Sequence, residues 1–288
     1  MDQVIRGTSC EGRVRIFISD VSATAAEICR RHQATPIAAD ALSRLIAVGA
    51  IMGIMQKYGR VNVRIEANGP LKALLVQAND RGQVRGYVAN PQAEVSLNEQ
   101  GQRQVGRAVG DLGVLTVIKE LGMKQDFASQ VTLQTGEIGE DFSYYFYTSE
   151  QIPSVVAVGT RIQENGSVAV AGAFLAQLMP GAEEGDIQFV ESIAKNLPPL
   201  AGWLESGDYQ HFETMDPSFV QLETKPISFH CSCSHERFVQ GLTVLHNDEL
   251  QEMIQAQHNQ EVQCNFCGEK YVLTPDDLQE AFRRKNLA

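Results

Sequence analysis

The chain has 288 residues, a length suited to about two domains of roughly 150 residues each. Apolar residues make up 43%, which excludes a chain disordered by composition. The net charge of −11 lies wholly in the last 108 residues: 1–180 carries 17 basic and 17 acidic side chains, 181–230 carries 2 and 9, and 231–288 carries 5 and 9. That distribution argues against a nucleic-acid binder, because Lys and Arg contacts to phosphate supply most non-specific affinity.

In chain order, the opening Met1–Arg6 has no basic region followed by an apolar run, so no secretory signal is expected and the reducing cytoplasm is the default compartment. Val14–Ile18 reads as a short β-branched strand. Thr35 is placed to cap a helix and Pro36 to open it. That helix should run to about Gln56 and be buried, being apolar almost all round. Its apolar run Leu45–Met55 has 11 residues against about 18 for a bilayer span, so no membrane helix is expected. Val61–Ala67 alternates strictly, the signature of a half-buried strand. Leu71–Gln77 and Gln83–Val88 bracket Asn79-Asp80-Arg81-Gly82 as a hairpin. Further strands are expected at Leu112–Ile118, Gln130–Gln134, Val155–Ile162 and Val168–Leu178, with a helix near Glu140–Ser149. Glu137, Glu140 and Asp141 read as a solvated helix start rather than an acid–base site.

The expectation is therefore an α+β protein: an N-terminal mixed domain with mainly antiparallel sheets at 1–180, an acidic helical linker at 181–230, and a small zinc-binding domain at 231–288. In the linker, Ile187, Val190, Ile193, Ala194 and Leu197 share one helical face. Pro198-Pro199 interrupts it before a second short helix at Leu200–Leu204. Asp216-Pro217 and Lys225-Pro226 break the remainder. The segment should be marginally stable alone, with docking against a folded tail as its main support.

The last 58 residues hold four of the six cysteines, as Cys231-Ser232-Cys233 and Cys264-Asn265-Phe266-Cys267. Two close pairs of soft donors make a tetrahedral four-cysteine zinc site, and a domain this small needs such a staple. Gly268 suits the tight turn that aims backbone amides at the sulfurs. His230 and His235 flank the first pair, but four cysteines already fill the shell. Zinc-held thiolate is also what peroxide or hypochlorous acid attacks, so the spacing allows either a redox switch or a constitutive structural site. Cys10 and Cys29 lie apart and read as ordinary thiols. There is no G-x-S-x-G, H-E-x-x-H, Walker A or G-x-G-x-x-G motif, and His32 is the sole histidine of 1–180, so no enzyme is expected.

The chain resembles the heat-shock protein 33 family along essentially its whole length. The resemblance rests chiefly on the run Phe229–Phe238 and on Cys264–Tyr271. Glu66–Pro70, Gly86–Pro91, Asp141–Tyr145, Ser149–Ser154 and Gln177–Gly181 support it. It implies a cytoplasmic, ATP-independent holdase. In the reduced, inactive form, Cys231, Cys233, Cys264 and Cys267 would hold one zinc ion per chain. Oxidative stress would form Cys231–Cys233 and Cys264–Cys267 disulfides, release zinc, unfold the tail and loosen the linker. The oxidised protein would dimerise, bind unfolding client proteins and pass them to ATP-dependent foldases; neither nucleic acid nor membrane is an expected partner. Phe189, Trp203, Phe212 and Phe219 are candidate client contacts that can also pack on the first domain at rest. The Cys264–Cys267 ring is larger and less strained, so it is expected to close first. The competing readings are a zinc-ribbon interaction module with permanent metal and a thiol oxidoreductase using Cys264 and Cys267.

Overall fold

A computed structural model describes residues 1–122 and 125–287. The chain forms two compact units, Met1–His230 and Cys231–Ala288.

The first unit is α+β. It begins with β1 (Gln3–Ser9), β2 (Val14–Asp20), α1 (Ser22–Arg31) and α2 (Pro36–Met55). β3 (Arg60–Ala67), β4 (Ala73–Asn79) and β5 (Gln83–Val88) form a meander, followed by α3 (Val105–Val109), β6 (Gly113–Glu120) and β7 (Phe127–Thr132). Next come α4 (Gly139–Thr148), β8 (Ser154–Ile162) and β9 (Val168–Leu178). The acidic segment supplies α5 (Glu184–Asn196), α6 (Leu200–Ser206), a 3-10 stretch at Asp208–Thr214 and β10 (Val220–Pro226), and β11 (Ser228–Phe229) closes the unit. One sheet has the order β10-β1-β2-β9-β8 and is antiparallel throughout. The other runs β11-β5-β4-β3-β6-β7, antiparallel except where β11 joins β5.

α2 is the centre of the core. It packs on β2, β8 and β9 of one sheet and on β3, β4 and β5 of the other, which is why its sequence is apolar on every side. Its 20 residues are long and apolar enough to cross a membrane, but 94% of that stretch is buried inside the protein, so it is a core helix. Gly49 and Gly53 let β4 approach: a Cβ on either would stand 2.7 Å from Val76 or Ala78. The buried charge of Asp40 is met by Arg44 at 2.9 Å, Arg103 at 3.0 Å and the Thr160 hydroxyl at 2.6 Å. Buried charges persist only when paired and hydrogen-bonded in this way.

Several local expectations need correction. Thr35 occupies the N-cap position of α2, but its hydroxyl donates to the Ala93 carbonyl instead of capping the helix. Asp141 is not solvated: it is fully buried and accepts the amides of Gln134, Thr135 and Ile138. Glu137 pairs with Arg44 at 2.7 Å and accepts the Gly106 amide. The acidic segment is not wholly helical, since β10 pairs along β1 and Pro226 is its last residue. β1, α1 and β11 also fall where no element was expected.

The second unit comprises α7 (His235–Gly241), α8 (Asn247–Gln255), the hairpin β12 (Gln260–Gln263) and β13 (Lys270–Leu273), and α9 (Pro275–Leu287). Its apolar core is small: Val239, Leu250, Leu273 and Ala281 form a cluster, flanked by partly buried Phe238, Leu242, Leu245, Val262 and Phe282, and Leu278 is buried as well.

Candidate metal centre

Two short stretches of the second unit bring the four sulfurs together. Cys231 and Cys233 lie in extended chain just before α7, whose N-cap Ser234 accepts the Arg237 amide at 3.2 Å. Cys264 and Cys267 lie in the turn that joins β12 to β13. There Cys264 N donates to the Glu269 carbonyl at 2.9 Å, and Gly268 N donates to the Cys264 carbonyl at 2.8 Å. Gly268 has φ +75°, a left-handed conformation that suits glycine. The turn directs the amides of Phe266 and Cys267 at the Cys264 sulfur and the amide of Glu269 at the Cys267 sulfur.

All four Sγ atoms lie within 4.8 Å of one another. Cys231 and Cys264 are 3.7 Å apart, and Cys233 and Cys267 are 3.3 Å apart. A tetrahedral site with Zn–S bonds of about 2.3 Å sets its sulfurs about 3.8 Å apart, so this donor set fits zinc in number, chemistry and spacing. Burial pushes the Cys264 and Cys267 thiols up from their ordinary range, against the backbone amides that favour the thiolates, and for Cys267 the neighbouring sulfurs add to the rise. Four thiolates this close therefore need a cation among them to stay deprotonated.

His235 is not part of the cluster; its ring lies 3.1 Å from Asp277. Sequence reasoning gave no role to Tyr271, whose hydroxyl is 3.3 Å from Cys233 Sγ and whose ring stacks on Phe238 at 5.1 Å. Its place in a strand four residues beyond Cys267 was the available signal.

The other two cysteines, half-buried Cys10 and buried Cys29, sit in surroundings that favour the thiol. Burial raises the Cys29 thiol to about 12, and burial with Asp186 beside it raises Cys10 to about 11.

The four aromatic side chains singled out in the acidic segment gather on one face of the five-stranded sheet. Trp203, Phe212 and Phe219 are buried there with Ile5, Val14, Ile16, Ile18 and Phe174, and Phe189 packs at the margin, partly buried. Phe212 stacks edge-on against Phe219 at 5.0 Å and against Trp203 at 6.0 Å. The first unit's own sheet thus supports this segment.

An α+β core joined to a small unit with a four-cysteine cluster defines a class of protein with a metal-competent thiol centre. A family model described as Hsp33 protein matches residues 2–274. The chain is 41% identical over 284 residues to a 33 kDa chaperonin of Geobacillus kaustophilus (strain HTA426), covering 97% of each. It is 38% identical over 283 residues to the 33 kDa chaperonin of Bacillus subtilis (strain 168), again covering 97% of each. The crystal structure of the 33 kDa chaperonin (heat shock protein 33 homolog) of Thermotoga maritima superposes with a TM-score of 0.88 at 33% identity, over 100% of this chain and 99% of that one. The chain belongs to the Hsp33 family, and its function is that of a chaperone.

Proposed function

We propose that the protein is a redox-regulated, ATP-independent holdase of the cytoplasm that binds unfolding proteins under oxidative stress. The observation that carries this reading is the four-cysteine cluster, set in a unit whose own core is too small to dispense with it. Cys231, Cys233, Cys264 and Cys267 would ligate one zinc ion in the reduced form. A bound zinc ion supplies the charge that keeps the four sulfurs deprotonated, and structural zinc contributes about 10–16 kcal/mol in small finger peptides.

Each pair of thiolates gives two electrons to one molecule of hypochlorous acid. One sulfur takes the chlorine and frees hydroxide; the second attacks that sulfur, closing the disulfide and expelling chloride. In the folded cluster all four sulfurs lie within 4.8 Å of one another, with cross-motif separations of 3.3 and 3.7 Å, so proximity there does not choose partners. Pairing of Cys231 with Cys233 and of Cys264 with Cys267 follows the family resemblance and the short loops, which close at least entropic cost once the unit opens. Cys264–Cys267, with the larger ring, closes first.

Disulfide sulfurs no longer serve as thiolate ligands, so the unit loses the link between its two halves and unfolds. Residues 231–288 act as the switch, 181–230 as a metastable linker and 1–180 as the chaperone core. β11 leads directly into Cys231, so loss of the switch frees the chain at the end of the linker. The linker then leaves the sheet, and Phe189, Trp203, Phe212 and Phe219, with the sheet beneath them, become surface for clients. The oxidised form dimerises, and ATP-dependent foldases receive the clients.

The amide bonds to the Cys264 and Cys267 sulfurs favour a second reading, a durable structural zinc module, because such bonds quiet a thiolate. One experiment separates the two. Light scattering from a heat-unfolding client is followed with zinc-reduced protein or with protein oxidised by hypochlorous acid, while freed zinc is assayed. The holdase reading expects suppression by the oxidised sample alone, with about one zinc freed per chain. Zinc retained, with no suppression by either sample, supports the structural module.

A further inference from the structure

We infer that Tyr271 is a positioning residue that sets the oxidation threshold of the centre: its hydroxyl donates a hydrogen bond to Cys233 Sγ and slows that sulfur's reaction with oxidant. The inference rests on the redox reading above. The hydroxyl lies 3.3 Å from the sulfur, a normal length for an O–H···S bond. Two features fix it there. Tyr271 sits within β13, paired with Val262 of β12, and its ring lies against Phe238 of α7. Phe238 follows Cys233 on the same stretch of chain, so the stack ties the hydroxyl to the motif that carries the sulfur. Phe238 is partly buried in the unit's core, which holds the stack in place.

The chemistry follows from the lone pair. Forming the Cys231–Cys233 disulfide takes one electron from each sulfur and reduces hypochlorous acid to chloride and hydroxide. Cys233 contributes its lone pair whether it meets the oxidant first or attacks its chlorinated partner second. A donor on that lone pair lowers its energy in either role. The sulfurs in the β12–β13 turn receive backbone amides, which no side-chain substitution removes. Cys233 receives a side-chain hydroxyl, so its reactivity is adjustable by a single residue.

Tyr271→Phe keeps the ring and removes the donor. In the zinc-loaded full chain, dilute hypochlorous acid followed by rapid alkylation and mass mapping gives the rate at each cysteine. The variant should oxidise Cys233 about three- to tenfold faster, the scale of one ordinary net hydrogen bond, with Cys264 and Cys267 unchanged. With Co2+ in place of zinc, the thiolate-to-cobalt charge-transfer band should move to longer wavelength, because the sulfur lone pair rises in energy. Leu250→Ala is the control that loosens the unit's core and leaves Tyr271 and Phe238 in the chain. Unchanged Cys233 kinetics and an unmoved band in Tyr271→Phe overturn the role of Tyr271. A speed-up equal at all four sulfurs, matching Leu250→Ala, also overturns it, since packing is then the cause. Failure of the wild-type chain to form a Cys231–Cys233 disulfide overturns the redox reading and this inference with it.

Discussion

Arg13 reaches Asp186 with two nitrogens, Nε at 2.7 Å from Oδ2 and a terminal guanidinium nitrogen at 3.3 Å from Oδ1. Asp186 opens α5 and also accepts the Glu183 amide at 2.8 Å, so one carboxylate caps the linker's first helix and ties it to the β1–β2 turn. The Arg13 guanidinium first, and the Glu183 amide second, hold its carboxyl below the usual range. A carboxyl depressed in the folded state stabilises that state above its unfolded value of about 4 and loses the effect as pH falls through the folded value. Amide-exchange protection at the start of α5 should therefore drop as pH falls below about 4 while the sheet stays protected. In Asp186→Asn the protection should be weaker at neutral pH and lack that acid limb; an identical acid limb in both proteins would refute the latch. Nearby, Asp216 accepts the Ser9 hydroxyl, and the Ser218 hydroxyl accepts the Cys10 amide, so several contacts of the linker converge on the same turn. The contacts between this turn and the linker were not legible in the sequence, because each joins residues more than 170 positions apart.

At the scale of elements, β1 and β10 explain how a proline-broken acidic segment comes to be ordered. Gly7 in β1 is a socket: a Cβ there would lie 2.2 Å from the Phe219 ring and 2.7 Å from the Val220 carbonyl. Gly7→Ala should therefore evict Phe219, which touches Phe212 and through it Trp203. The expected loss is about 1.5–3 kcal/mol of docking, seen as a lower urea midpoint monitored at Trp203; an unchanged midpoint would contradict the socket. A glycine within a strand pattern reads in sequence as an interruption, and Pro226 reads the same way at the end of β10, so both strands were hidden by features that serve their packing. α1 was hidden for a different reason. Its N-cap position is Val21, and its Ala23 and Thr24 amides are met by Asp2, 21 and 22 residues away, so the only local mark of its start is Asp20, which accepts the Ser22 amide. β3 and α2 were legible because their surroundings are regular: β3 buries alternate residues, and α2 is wrapped by two sheets along its whole length. The cysteine pairs were legible because sulfur donors in that spacing have few other uses, whereas Tyr271 acts through a contact that only the β12–β13 pairing creates.

For the whole molecule, the contrast between the two units is the basis of the account. The first buries a large continuous core around α2. The second buries four apolar side chains in its main cluster and concentrates its cross-links in four sulfurs. Oxidising those sulfurs should unfold the second unit and leave the core of the first intact. The consequence for function lies in the acidic segment, whose aromatic side chains lie buried against the sheet in the resting fold. Trp203 is the chain's one tryptophan and is 6% exposed, so its emission reports directly on whether that segment is docked. The decisive measurement is Trp203 emission recorded through a hypochlorous acid titration, with client aggregation followed in the same samples. The account predicts that emission moves to longer wavelength at the oxidant dose where the protein begins to suppress aggregation. Suppression that sets in while Trp203 stays buried and its emission stays fixed would contradict it.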